Sequence, residues 1–263
     1  MNNKVLEIKN LSMYFGGLKA VDDLSFDIYE NEIVGLIGPN GAGKTTVFNC
    51  ITQFYKEDEG EIWVTNKQNE RINLNDIKVT KVIEQGLVRT FQNIELVKDL
   101  SVIDNVLIGA HSQFKSDIIS HIFRTPKARK EEKKIREKAL EVLKFLKIDY
   151  LKDFYAFGQP YGVLKKIEIA RTLMCDPKLI ILDEPAAGLN ETETKELSDL
   201  IYQIRDNFNC SILLVEHDMG FVMDVCDRIC AISFGKFLAM GAPQEIVAST
   251  IVQEAYLGGD IDE

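Results

Sequence analysis

Gly38-Pro39-Asn40-Gly41-Ala42-Gly43-Lys44-Thr45-Thr46 fits the spacing G-x-x-x-x-G-K-[ST]. An apolar run, Ile33-Val34-Gly35-Leu36-Ile37, comes directly before it, and Val47, Phe48 and Ile51 follow at the spacing of one buried helical face. Strand, glycine loop and helix is the context that this motif requires. Glycines allow backbone angles that a side chain forbids. The N–H groups of the loop, from Asn40 through Gly41 and Gly43 to Thr46, can then converge as an anion nest backed by the positive end of the helix dipole. Lys44 supplies a point charge for the outer phosphates of a nucleotide, and the Thr45 hydroxyl is placed to ligate Mg²⁺.

The bulk properties bound the rest. With 263 residues and 46% apolar content, the chain can bury a sizeable core as one large domain, or as one domain with an insertion. Lys and Arg number 31 against 41 Asp and Glu, a net charge of −10, so nucleic acid is not an expected partner. No stretch reaches the roughly 18 apolar residues of a membrane span. Met1-Asn2-Asn3-Lys4 does not open a segment of signal-peptide type. Cys50, Cys175, Cys210, Cys226 and Cys230 lack C-x-x-C spacing and read as reduced thiols of a cytoplasmic protein, with Cys226 and Cys230 in core packing rather than a metal pair.

Outward from the phosphate loop, Val5 to Ile8 and Leu24 to Ile28 alternate as strands. Between them lies Met13-Tyr14-Phe15-Gly16-Gly17, where an aromatic before a glycine turn either stacks on a base or caps the core. Residues 66 to 75 read as a polar surface loop, 76 to 85 as a helix stopped by Gly86, and Leu87 to Phe91 as a strand with Gln92 at its end. Ser101-Val102-Ile103-Asp104 opens a helix. Ile135, Ala139, Val142, Leu143 and Leu146 repeat at helical spacing beside the charge-rich stretch 127–138, which reads as their solvated face. Residues 229–233 and 236–240 form a hairpin around Phe234-Gly235.

Two further apolar runs end in polar groups: Leu179 to Leu182 in Asp183-Glu184, and Ser211 to Val215 in Glu216-His217-Asp218. Parallel strands present their carboxyl ends on one sheet edge, where ligands bind. If these strands are parallel, the phosphate loop, Asp183, Glu184, His217 and Gln92 converge on one nucleotide. Asp183 would then serve the Mg²⁺ shell, Glu184 the attacking water, His217 the water and the γ-phosphate, and Gln92 the metal or the water. Taken singly, each has a plainer explanation, a satisfied polar histidine or a helix-capping D-E pair before proline.

Together these residues resemble an ATP-binding cassette (ABC) ATPase, the nucleotide-binding subunit of a transporter, nearly end to end. The stretches Tyr14 to Val21, Val88 to Asn93, Glu184 to Asn190 and Glu254-Ala255-Tyr256-Leu257-Gly258 are most similar to the subunits of branched-chain amino acid importers. The resemblance implies an α/β P-loop core with a small antiparallel β subdomain (residues 1–92 and 158–263) and an inserted helical subdomain (93–157). It implies ATP and Mg²⁺ as cofactors, with Phe15 rather than Tyr14 on the adenine and Val21 in the nucleotide-binding set. It also implies a second cassette, either a copy or a sister subunit, whose signature loop closes over the nucleotide. Membrane-embedded permease subunits, a binding protein acting outside the membrane, and a place on the cytoplasmic face of the membrane complete the picture.

One departure stands out. Gln159-Pro160-Tyr161-Gly162-Val163 aligns with the signature usually read Leu-Ser-Gly-Gly-Gln. Pro160 replaces a serine hydroxyl that would donate to the γ-phosphate, and proline offers neither hydroxyl nor N–H. Gly162 and the start of a helix over 163–174 remain to favour an anion. Two other readings stay open. A soluble ABC ATPase acting on nucleic acid or ribosomes is opposed by the acidic balance, and a nucleotide-dependent assembly module is opposed by Glu184 and His217.

Overall fold

The computed structural model describes residues 3–90, 95–113 and 125–257. Two compact units divide the chain: 1–89 with 178–263, and 90–177. The second unit therefore includes the helix Tyr161–Leu173, whereas the expected insertion ended at 157.

In the first unit, β1 (Lys4–Phe15), β2 (Leu18–Tyr29), β4 (Glu59–Thr65) and β5 (Arg71–Asn73) form an antiparallel sheet in the order β2-β1-β4-β5. The second sheet takes β3 (Ile33–Ile37), β6 (Leu87–Arg89), β7 (Leu179–Asp183), β8 (Ser211–Val215), β9 (Arg228–Ser233) and β10 (Lys236–Gly241) in the order β10-β9-β3-β8-β7-β6. Its strands are parallel except for β10, which returns beside β9 as the expected hairpin. Every residue of β3, β7 and β8 is buried, as strands covered on both faces require. Helix α1 (Lys44–Ile51) contributes Val47, Phe48, Cys50 and Ile51 to one apolar cluster with residues of both sheets, among them Leu6, Ile28, Ile62, Leu36 and Leu213. All five cysteines are buried free thiols.

Three local expectations need correction. The first two strands run far longer than their alternation suggested. Asn10 and Asp23 adopt left-handed backbone angles (φ 51° and 56°) at irregularities in the pairing, and these interrupt the period. Part of the expected loop 66–75 is the edge strand β5. Asn66 turns the chain by accepting the N–H groups of Gln68 and Glu70, and the Arg71 guanidinium lies 4.9 Å from the Trp63 ring centre. The expected helix 76–85 is broken into a 3₁₀ turn (Leu74–Asp76), the short helix α2 (Val79–Val82) and a second 3₁₀ turn (Ile83–Gln85), because Ile77 and Lys78 are extended. Gly86 ends it at φ 96°, as expected.

The second unit is helical: α3 (Val102–Ile108), α4 (Pro126–Phe145) and α5 (Tyr161–Leu173). Ser101 caps α3 by accepting the Asp104 N–H, and its hydroxyl donates to the Asp104 carboxylate at 2.6 Å. A Cβ on Gly109 would stand 2.0 Å from the Arg171 carbonyl, so only glycine allows this approach to α5. Lys138 of α4 caps the end of α5 with bonds to the Met174 carbonyl (2.9 Å) and Asp176 (2.7 Å). Among the described residues, no helix is long and apolar enough to cross a membrane.

Candidate active site

The loop Gly38–Gly43 joins β3 to α1 at the carboxyl edge of the parallel sheet. Gly41 and Gly43 have φ of 77° and 97°, so both need the left-handed freedom of glycine. Gly38 serves differently: a Cβ there would meet the Ile232 carbonyl at 2.2 Å. The Lys44 ammonium arches back over the loop and donates to the carbonyls of Gly38 (2.6 Å) and Pro39 (3.1 Å). Burial pushes its pKa down, and the nearby Glu184 carboxylate opposes that shift.

A cleft of about 430 Å³ lies over the loop, within the roughly 300–1,000 Å³ of small-ligand sites. Asn40, Gly41, Gly43, Lys44, Thr45 and Thr46 line it, and so do Phe15 and Glu184. Phe15 is the last residue of β1 and packs edge-on against Tyr55, with ring centres 5.4 Å apart. Tyr14 is not among the lining residues and lies under the Lys19 ammonium. Val21 does not join the site. It is fully buried in the core, and its neighbour Ala20 lines the cleft instead, because adjacent residues of a strand face opposite ways.

Asp183 and Glu184 divide at the end of β7. Asp183 is nearly buried, and its carboxylate accepts from the Arg89 guanidinium at 3.2 Å. Burial pushes its pKa up, and Arg89 opposes the rise. Glu184 sits at φ 45°, a left-handed angle for a residue with a side chain, held by the bond from its N–H to the Val215 carbonyl (2.8 Å). That turn brings its carboxylate to the cleft, 3.7 Å from the exposed His217 ring. Gln92 lies outside the described residues.

Sequence reasoning gave two first-unit contributors no role in the site. Glu216, 1% exposed, accepts the N–H groups of Ala186 (2.9 Å) and His217 (3.1 Å), tying together the loops after β7 and β8. A charged residue inside an apolar strand end was the available signal. Phe234, at the β9–β10 turn, is 83% exposed and also lines the cleft. The Gly235 N–H beside it donates to the Ala42 carbonyl, and the Asp22 N–H donates to the Gly235 carbonyl, both at 2.9 Å. The pairing of an aromatic with a glycine, as at Phe15-Gly16, was its signal.

In the second unit, α5 begins at Tyr161, two residues earlier than expected, with Pro160 as its N-cap. No side-chain bond caps this end, and Gly162 lies in the first turn. The Lys165 ammonium stands 5.1 Å from the Tyr161 ring centre.

The donor set suits Mg²⁺. Asp183 would supply a carboxylate and Thr45 a hydroxyl, both hard oxygen ligands, and no cage of three acidic, histidine or cysteine side chains gathers among the described residues. Mg²⁺ takes few protein oxygens and completes its shell with phosphates and water.

Comparison with known proteins agrees with this geometry. A family model described as ABC transporter matches residues 21–187. The chain is 42% identical to the high-affinity branched-chain amino acid transport ATP-binding protein LivG of Salmonella typhimurium over 98% of this chain and 99% of that protein. It is 39% identical to the corresponding protein BraF of Pseudomonas aeruginosa, over 98% of this chain and 99% of that one. Among solved structures, the ADP conformation of an ATP-binding cassette of an ABC transporter aligns with a TM-score of 0.82 at 30% identity, covering 97% of this chain and 99% of that one. A phosphate loop and Glu184 lining one cleft, on a chain matched over 98% of its length by transport ATP-binding proteins, identify this protein as a member of the ABC transporter family and one of its ATP-binding subunits.

Proposed function

We propose that this chain is the ATP-hydrolysing subunit of an importer for branched-chain amino acids. It would act at the cytoplasmic face of the membrane with permease chains, a second cassette and a binding protein outside. The observation that carries the hydrolytic reading is the convergence of Lys44 and Glu184 on one cleft, with His217 at 3.7 Å from the Glu184 carboxylate. The names of the relatives, LivG and BraF, support the substrate class.

The chemistry is positioning and charge stabilisation. Phe15 stacks on the adenine. The loop N–H groups and Lys44 hold the outer phosphates. Glu184 accepts a proton from the water aligned against the γ-phosphate, a role supported by its place in the lining of the cleft. His217, whose ring lies beside the Glu184 carboxylate, orients the water and contacts the γ-phosphate. Thr45, Asp183 and Gln92 would hold Mg²⁺, which when bound neutralises phosphate charge. Gly162 and the start of α5 from the second cassette complete the nucleotide's surroundings.

Deleting the gene in its native cell is expected to abolish uptake of labelled leucine, isoleucine and valine. The parent gene restores uptake, and a Glu184→Gln copy does not. Unchanged uptake in the deletion strain contradicts the assignment.

Pro160 leaves the signature helix without a hydroxyl donor. A hydrogen bond to a charged group contributes about 1.5–3 kcal/mol, so Pro160→Ser is expected to raise the ATPase rate of the assembled cassettes about tenfold or more. Equal rates for the parent and Pro160→Ser proteins would show that this donor is not missed.

A further inference from the structure

Arg89 ends β6, the edge strand of the parallel sheet, and has no part in the mechanism above. Three contacts of its guanidinium carry the argument. Nη2 donates to the Asp183 carboxylate at 3.2 Å, Nη1 donates to Asn49 Oδ1 on α1 at 2.9 Å, and the group lies 4.1 Å from the Phe48 ring centre. Both charged side chains are largely withdrawn from water, with 15% of Arg89 and 8% of Asp183 exposed.

The carboxyl ends of β7 and β8 gather Asp183, Glu184 and Glu216, and the charges of the last two bear on Asp183. A buried carboxylate in such company needs a cation. Beside that carboxylate, Arg89 also has neutral contacts. Asn49 and the aromatic face of Phe48 hold the guanidinium whether or not Asp183 accepts from it. These contacts keep the guanidinium in place when the carboxylate turns to another cation, and the loss of the ion pair is the cost that a competing cation must meet.

We propose that Arg89 is the resident counter-ion of Asp183 and competes with Mg²⁺ for that carboxylate, so that it sets how strongly ATP binding depends on the metal. Arg89 is a positioning residue, acting through Asp183 and not on the nucleotide. The proposal rests on the reading of Asp183 as a metal ligand.

The test is the dissociation constant of a fluorescent, non-hydrolysable ATP analogue on the purified full chain, measured in EDTA and in saturating Mg²⁺. The ratio of the two constants reports metal dependence. Arg89→Gln removes a positive charge beside the metal position and is expected to raise the ratio about tenfold. Arg89→Lys keeps the charge but not the guanidinium's contacts, and is expected to raise the ratio by less than Arg89→Gln does. A purely structural role would not separate these two variants. A ratio unchanged or lowered in Arg89→Gln, while Asp183→Asn collapses it towards one, overturns the proposal and leaves the metal reading standing. A ratio unmoved by Asp183→Asn overturns the metal reading itself. Should Arg89→Gln fail to fold, Asn49→Asp offers the guanidinium a competing carboxylate and is expected to raise the ratio. A ratio at or below the parent's in Asn49→Asp overturns the proposal.

Discussion

Replacing Glu184 by glutamine is expected to lower ATP turnover by about 10²–10⁴-fold, the usual contribution of a positioned general base. ATP binding should persist, because Lys44 and the phosphate loop are untouched. Glutamine keeps the length and volume of glutamate and leaves the bond from the residue 184 N–H to Val215 in place. What it removes is the ability to accept a proton. Phosphate release and nucleotide binding, measured on the same preparation, separate the two effects. Turnover close to the parent's would mean that the 3.7 Å approach of Glu184 to His217 is incidental, and that the base lies elsewhere.

The second large effect is expected at Gly43. A Cβ there would stand 2.4 Å from the Ala20 carbonyl, and the residue has φ 97°. Gly43→Ala must therefore push β2 away from the first turn of α1 while also straining its own backbone. The combined cost is about 3 kcal/mol or more, and nucleotide binding should be lost with the loop geometry. Gly41→Ala provides the control. It has φ 77° but no heavy atom within 4 Å of its Cβ position, so only the conformational cost of about 1–2 kcal/mol applies. Thermal melts of both variants check this order. Equal melting temperatures for Gly43→Ala and the parent would contradict the packing argument.

Much of the site was legible in the residues because its parts lie at strand ends. Fully apolar runs such as Leu179 to Leu182 can hardly be anything but buried strands, and the polar groups that close them fall on one edge once the strands are parallel. The glycine spacing identified the loop for the same reason, since few other residues reach φ 77° and 97°. Less legible were features that depend on contacts distant in sequence. The side-chain direction of Val21 follows from the pairing of β1 with β2, which the irregularities at Asn10 and Asp23 conceal. The buried bonds of Glu216 to Ala186 and the placing of Phe234 beside the phosphate loop arise only when separate loops meet. Arg89 reads as an ordinary strand residue until Asp183, 94 positions away, stands beside it. The helix expected over 76–85 failed at Ile77 and Lys78, where an extended backbone overrides a weak local preference.

The proposed function puts this cassette to work on a membrane transporter. Gentle detergent solubilisation of native membranes, purification through a tag on this chain, and mass identification of what accompanies it test that claim directly. Two hydrophobic permease chains together with a second cassette are expected. Recovery of soluble or ribosomal partners alone, from complexes shown to survive the detergent, would contradict it.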